Sequence, residues 1–156
     1  MTQQNQNTER QVWQRVHSQS PSSELRELQK LIRESSELAA IYRRLQNSFS
    51  GCSRELARQL WQTEMSTLHC LRGVGILSRR GGEAVKVWEP GRTEPGKLLE
   101  QCYHRTRRCA TEYAARSLDP EYGEVFRTLA QQCNSQCARI AQLLGRVGSG
   151  RGINQK

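Results

Sequence analysis

Aromatic residues make up only 6% of the 156-residue chain, and just two of them are phenylalanine. That scarcity argues against a surface on which nucleic-acid bases stack one after another. No run approaches the roughly 18 apolar residues of a membrane span. The N-terminus has no basic stretch leading into an apolar one, so a secretory leader is not expected and the chain is expected to be soluble and cytoplasmic. Glycine and the four prolines are sparse inside the periodic stretches and gather between them. Uninterrupted helices are the natural consequence.

Leu, Ala, Arg, Gln and Glu dominate what remains, which points to a single all-α domain long enough to bury a sizeable core. Carboxylates are the scarcer charge, 15 against 24 Lys and Arg, for a formal charge of +9. The cations are spread over every helical segment rather than gathered in one tract. They read as a solvated basic surface, and nucleic acid is not an expected partner. Six cysteines occur at irregular spacing, mostly inside helical segments. In a cytoplasmic chain they read as reduced thiols, some of them small core residues.

The stretch LWQTEMSTLHCL, residues 60–71, organises the rest. Helical spacing aligns Leu60, Glu64, Thr67, Leu71 and Val74 on one inward face. A carboxylate there needs a hydrogen-bond partner, a cation or a proton. Residues 1–23 are polar, with an apolar island at Val12, Trp13 and Val16, and read as a flexible arm; His17 is isolated in it. A first helix is expected from a cap at Ser22 or Ser23 to about Asn47, with Leu25, Leu28, Ile32, Ser35, Ala39, Tyr42 and Leu45 inward and Phe49 following. A short connector places the second helix, Arg54 to Leu77, beside it. The Gly- and Pro-rich segment from Ser78 to Gly96, at roughly 3.3 Å per extended residue, can cross the full length of the bundle.

A third helix is expected from Lys97 to Ser117, with Leu99, Cys102, Thr106, Cys109 and Tyr113 inward. Asp119 and Pro120 then open a fourth, running to Val147 with Tyr122, Phe126, Leu129, Cys133, Gln136, Ile140 and Leu143 inward. The bundle thus covers 24–147, and 148–156 reads as a flexible tail. An internal repeat emerges. Ser35 and Thr106 each lie seven residues before a tyrosine, and the pairs Glu64/Thr67 and Cys133/Gln136 follow Tyr42 and Tyr113 by 22 and 20 residues.

The stretches SSELAAIYRRL, LWQTEMSTLHCLRGVGIL, LLEQCYHRTRRCATEYAARSLDPEYG and VFRTLAQQCNSQCARIAQLLG resemble the ferritin-like superfamily, most closely its rubrerythrin-like branch. The resemblance implies an antiparallel four-helix bundle with a long crossover between helices two and three. It also implies a di-iron centre built from one Glu on each of helices one and three and a Glu-x-x-His pair on each of helices two and four. Those positions map onto Ser35 and Thr106, and onto Glu64/Thr67 and Cys133/Gln136; only Glu64 keeps the family's residue. One carboxylate, three hydroxyls, an amide and a thiol do not supply the oxygens and imidazoles that two iron ions require. His69, about 200° around its helix from Thr67, and His104, two positions before Thr106, are turned away. The chain also has no Cys-x-x-Cys pair of the kind a rubredoxin-like site uses.

The resulting expectation is a degenerate ferritin-like protein without a working di-iron site, not an enzyme, acting as a binding or structural bundle. In it Glu64 is satisfied by Thr67, Ser35, Thr106 or Gln136. It would bind no cofactor and form a dimer through residues such as Trp61 and Trp88. The alternative is a metal-binding oxidoreductase or metal-storage protein using Glu64 and core cysteines. Cys102, Cys109, Cys133 and Cys137, with Cys70 beside them, would then favour copper or zinc over iron. A further binding surface is the basic face of helix three, with His104, Arg105, Arg107 and Arg108, which could meet an acidic partner or, as the lesser alternative, nucleic acid.

Overall fold

A computed structural model of the chain describes residues 21–77 and 88–148. They form four α-helices, α1 Pro21–Ser48, α2 Gly51–Leu77, α3 Pro95–Ala115 and α4 Gly123–Gly148, with one 3-10 turn at Arg116–Leu118. Among the described residues there is no β-strand, and no helix is long and apolar enough to cross a membrane. The apolar island at 12–16, the first part of the Gly- and Pro-rich connection and most of the tail lie outside the described residues.

The periodic stripes become the core. Leu28, Ile32, Tyr42, Leu45 and Phe49 are buried from the first hairpin, with Leu60, Leu71 and Val74 facing them; Leu99, Tyr113, Phe126, Leu129, Ile140 and Leu143 come from the second. Each fully buried leucine or isoleucine contributes roughly 1.5–3 kcal/mol relative to exposure, so this shared core is what fixes the helices against one another. α1 packs on α2 and α3 on α4; α2 against α4 and α1 against α3 complete a four-cornered ring. The ring brings the middle of every helix to one central layer.

Helix boundaries depart from the sequence expectation where loop chemistry intervenes. α2 begins three residues before Arg54, because Gly51 takes a left-handed φ of 58° and lets the chain reverse in two residues. A residue with a Cβ is strained in that conformation. The Arg54 N–H already donates to Ser50 O at 3.3 Å. α3 starts at Pro95 rather than Lys97, since proline fits the first turn, where its missing N–H has no partner to lose. Asp119 does act as a cap, its Oδ1 accepting from the N–H groups of Glu121 at 2.8 Å and Tyr122 at 2.9 Å. Those residues form a turn, however, and α4 proper begins at Gly123.

At Gly123 a side chain has no room: an added Cβ would sit 2.4 Å from the Ser117 carbonyl oxygen. Gly123→Ala must push the α3–α4 connection apart, and a loss of about 1–3 kcal/mol is expected. A urea midpoint that falls accordingly at unchanged slope is the check; an unchanged midpoint contradicts the tight approach.

Candidate functional site

Six side chains from four helices meet in the central layer, and Ser35, Glu64, Thr67, Thr106, Cys133 and Gln136 are all buried. Ser35 donates to Glu64 Oε1 at 2.8 Å, with the Glu64 main-chain carbonyl a more distant acceptor at 3.4 Å. Gln136 Nε2 donates to Leu60 O at 2.9 Å, and its amide lies near enough to Glu64 to favour the charged carboxylate. Behind it, Arg139 Nη1 donates to Gln136 Oε1 at 3.0 Å and reaches Thr63 Oγ1 at 3.3 Å. Glu64 is therefore held directly from α1, while the neighbouring Gln136 amide of α4 is fixed between the Leu60 carbonyl and a guanidinium.

Of the four partners considered for Glu64, Ser35 donates to its carboxylate and the Gln136 amide favours its charged form. Thr67 turns to its own helix and to α4, with Thr63 O and Gln132 Oε1 both 3.2 Å from its hydroxyl. Thr106 pairs with Tyr42, hydroxyl to hydroxyl at 3.2 Å. Among the described residues no buried side-chain nitrogen or oxygen is left without a partner. A buried polar layer is stable when each member is satisfied in this way.

Just outside the layer, Arg105 clamps α1. Its Nε meets Glu34 Oε1 at 2.5 Å, while Nη2 meets Glu34 Oε2 at 3.0 Å and Glu37 Oε2 at 2.9 Å. Arg116 does the same for Glu27 one end further on. Sequence reasoning missed Gln132, Arg139 and this clamp. Gln132 and Arg139 stand at helical spacing from Gln136, so extending its polar stripe in both directions would have found them. The partners of Arg105 lie 68 and 71 residues away, beyond any local pattern.

Burial pushes the Glu64 carboxyl up to about 7, against the opposing pull of the Ser35 hydrogen bond and the Gln136 amide. The thiols move the same way. Cys102, Cys109 and Cys133 are buried and Cys137 is half-buried. Burial pushes the Cys102 and Cys109 thiols up to about 12 and raises those of Cys133 and Cys137. At neutral pH the nucleophilic, metal-binding thiolate is then a rare form.

Among the described residues, no three His, Cys, Asp or Glu side chains converge where a metal ion could be held. His69 and His104 are exposed, and so are Cys52 and Cys70. The donors that do converge do not fit a pair of iron ions. A serine hydroxyl occupies the lone carboxylate, and the Arg139 cation on Gln136 opposes a second positive charge. The chain matches no known family, no curated protein and no solved structure.

The carboxyl of Glu64 has its own pH signature. Its ordinary value is 4.5 and its folded value about 7, so the folded state binds the proton more tightly. Stability from this group is greatest below about pH 4.5 and falls as pH rises to about 7, by about 3 kcal/mol in all. Glu64→Gln removes that dependence. Denaturation midpoints should show the variant gaining on the parent chain between pH 4.5 and 8; a gap that stays constant across the range contradicts the assignment.

Proposed function

We propose that this chain is a degenerate ferritin-like bundle of rubrerythrin-like type, without a working di-iron site, which acts by binding a partner or as a structural element. The observation that carries the reading is the state of Glu64. A ligand carboxylate must offer its oxygens to a cation, but here one oxygen accepts from Ser35 and the Gln136 amide lies near the same side chain. The three other positions that the family resemblance would fill with Glu are a serine, a threonine and a cysteine.

Cross-helix pairings support the bundle type. Glu27–Arg116 and Glu34–Arg105 run in opposite senses along α1 and α3, and Thr63–Arg139 and Thr67–Gln132 do so along α2 and α4. Such registers favour antiparallel neighbours, with α2 and α3 running the same way. That arrangement needs a crossover along the bundle. Its described end fits the need, because Arg44, in the last two turns of α1, donates to Pro90 O and Gly91 O.

Elemental analysis of protein purified without a metal-affinity tag, under reducing conditions, tests the reading. Only trace metal is expected, with the helical circular-dichroism spectrum unchanged by chelator. About two irons per chain would restore a di-iron oxidoreductase. Stoichiometric copper or zinc lost on replacing Cys109 and Cys133 would instead establish a thiol site and equally overturn the proposal.

A further inference from the structure

The surface charge of α1 is sorted. Its carboxylates Glu27, Glu34 and Glu37 each pair with an arginine, Glu34 and Glu37 with Arg105 of α3 and Glu27 with Arg116 of the turn that follows it. Further along α1, its own Arg43 and Arg44 lie where the described end of the connection, Trp88–Arg92, passes over it. Arg44 pins that strap by donating to Pro90 O and Gly91 O, the latter at 2.7 Å. Between strap and helix lies an open groove of about 580 Å³, whose lining includes Arg43, Arg44, Asn47, Trp88 and Arg92. Glu89 is the one carboxylate on its wall among the described residues.

Two features of the groove limit what fits. Trp88 stays 38% exposed and offers a flat apolar surface, while Arg43 and Arg92 are exposed beside it. Trp61 is less available, being half-buried with the Arg43 guanidinium 5.0 Å above its ring. A single open indole does not make the succession of stacking platforms that single-stranded nucleic acid uses. An open groove with guanidinium forks and one apolar anchor point suits an extended polypeptide whose carboxylates meet arginines in pairs. A second copy of this chain is a poor occupant, since the charge it would bring is +9.

We propose that this groove is a docking site for an acidic peptide segment of a partner protein, in which carboxylates engage Arg43 and Arg92 and an apolar side chain rests on Trp88. The proposal deepens the binding reading above and rests on it. It places the partner on the α1–strap face, away from the basic side of α3.

Fluorescence anisotropy of the full chain with a short labelled peptide of alternating Glu and Ala around a central Leu is the test. Arg92→Glu and Arg127→Glu change the net charge equally, but Arg127 is exposed on α4 and does not line the groove. Arg92→Glu is expected to weaken binding by about tenfold or more, and Arg127→Glu by less than about twofold. Trp88→Ala, in the exposed strap, should lose affinity with the helical spectrum intact. No binding by the parent chain, equal losses at Arg92 and Arg127, or a labelled oligothymidylate that binds more tightly through Trp88 would each overturn the proposal. None of these outcomes changes metal content, so failure here leaves the metal-free reading standing. Iron in the purified protein would remove that reading whatever the peptide does.

Discussion

A carboxylate in the middle of a four-helix core sets the terms for everything around it. Taking Glu64 out of water costs several kcal/mol unless polar partners replace the lost hydration. Ser35 on α1 donates to the carboxylate and Gln136 on α4 donates to the Leu60 carbonyl one turn before it, so the layer around one side chain fixes the register of three helices at once. Arg139 extends the constraint by orienting the Gln136 amide. The residual cost appears as a carboxyl held near 7, meaning that a proton is the cheapest way to finish neutralising the site. A metal cation would do the same job only with more carboxylates than this layer contains.

Much of the architecture was legible because the signals were periodic. Ser35, Glu64, Thr106 and Gln136 stood out as polar interruptions of apolar stripes, and all four are buried. Tyr42 and Tyr113 occupy matching, almost fully buried places in the two halves, as their shared spacing implied. Helix ends were less legible, since they depend on single backbone conformations. Gly51 begins α2 early through its φ of 58°, and the Asp119 cap is followed by a turn before α4 instead of by the helix itself. Which hydroxyl would reach Glu64 was not legible at all. Thr67 is one turn from Glu64 in sequence, yet its hydroxyl lies within reach of Thr63 O and of Gln132 on α4. One-turn spacing places two side chains on a face without deciding which way either rotates.

The two kinds of polar group in this molecule divide the labour. Inside, neutral donors and one proton-binding carboxyl lock the helices together and suppress reactivity, and the buried thiols beside them are kept protonated by the same desolvation. Outside, α1 and α3 pair opposite charges through Glu34, Glu37 and Arg105, while Arg43 and Arg44, further along α1, line the groove beside Trp88. A central layer satisfied by its own side chains holds the four helices together without help from any added ion.

The central claim is that Glu64 is satisfied by its own chain and a proton. Carbon-13 NMR of the Glu64 side-chain carboxyl carbon, followed as a function of pH with and without ferrous iron under anaerobic conditions, tests it most directly. The account predicts one titration with a midpoint near 7 that iron does not move. A midpoint near the ordinary 4.5, or a resonance broadened and shifted by stoichiometric iron, would contradict it.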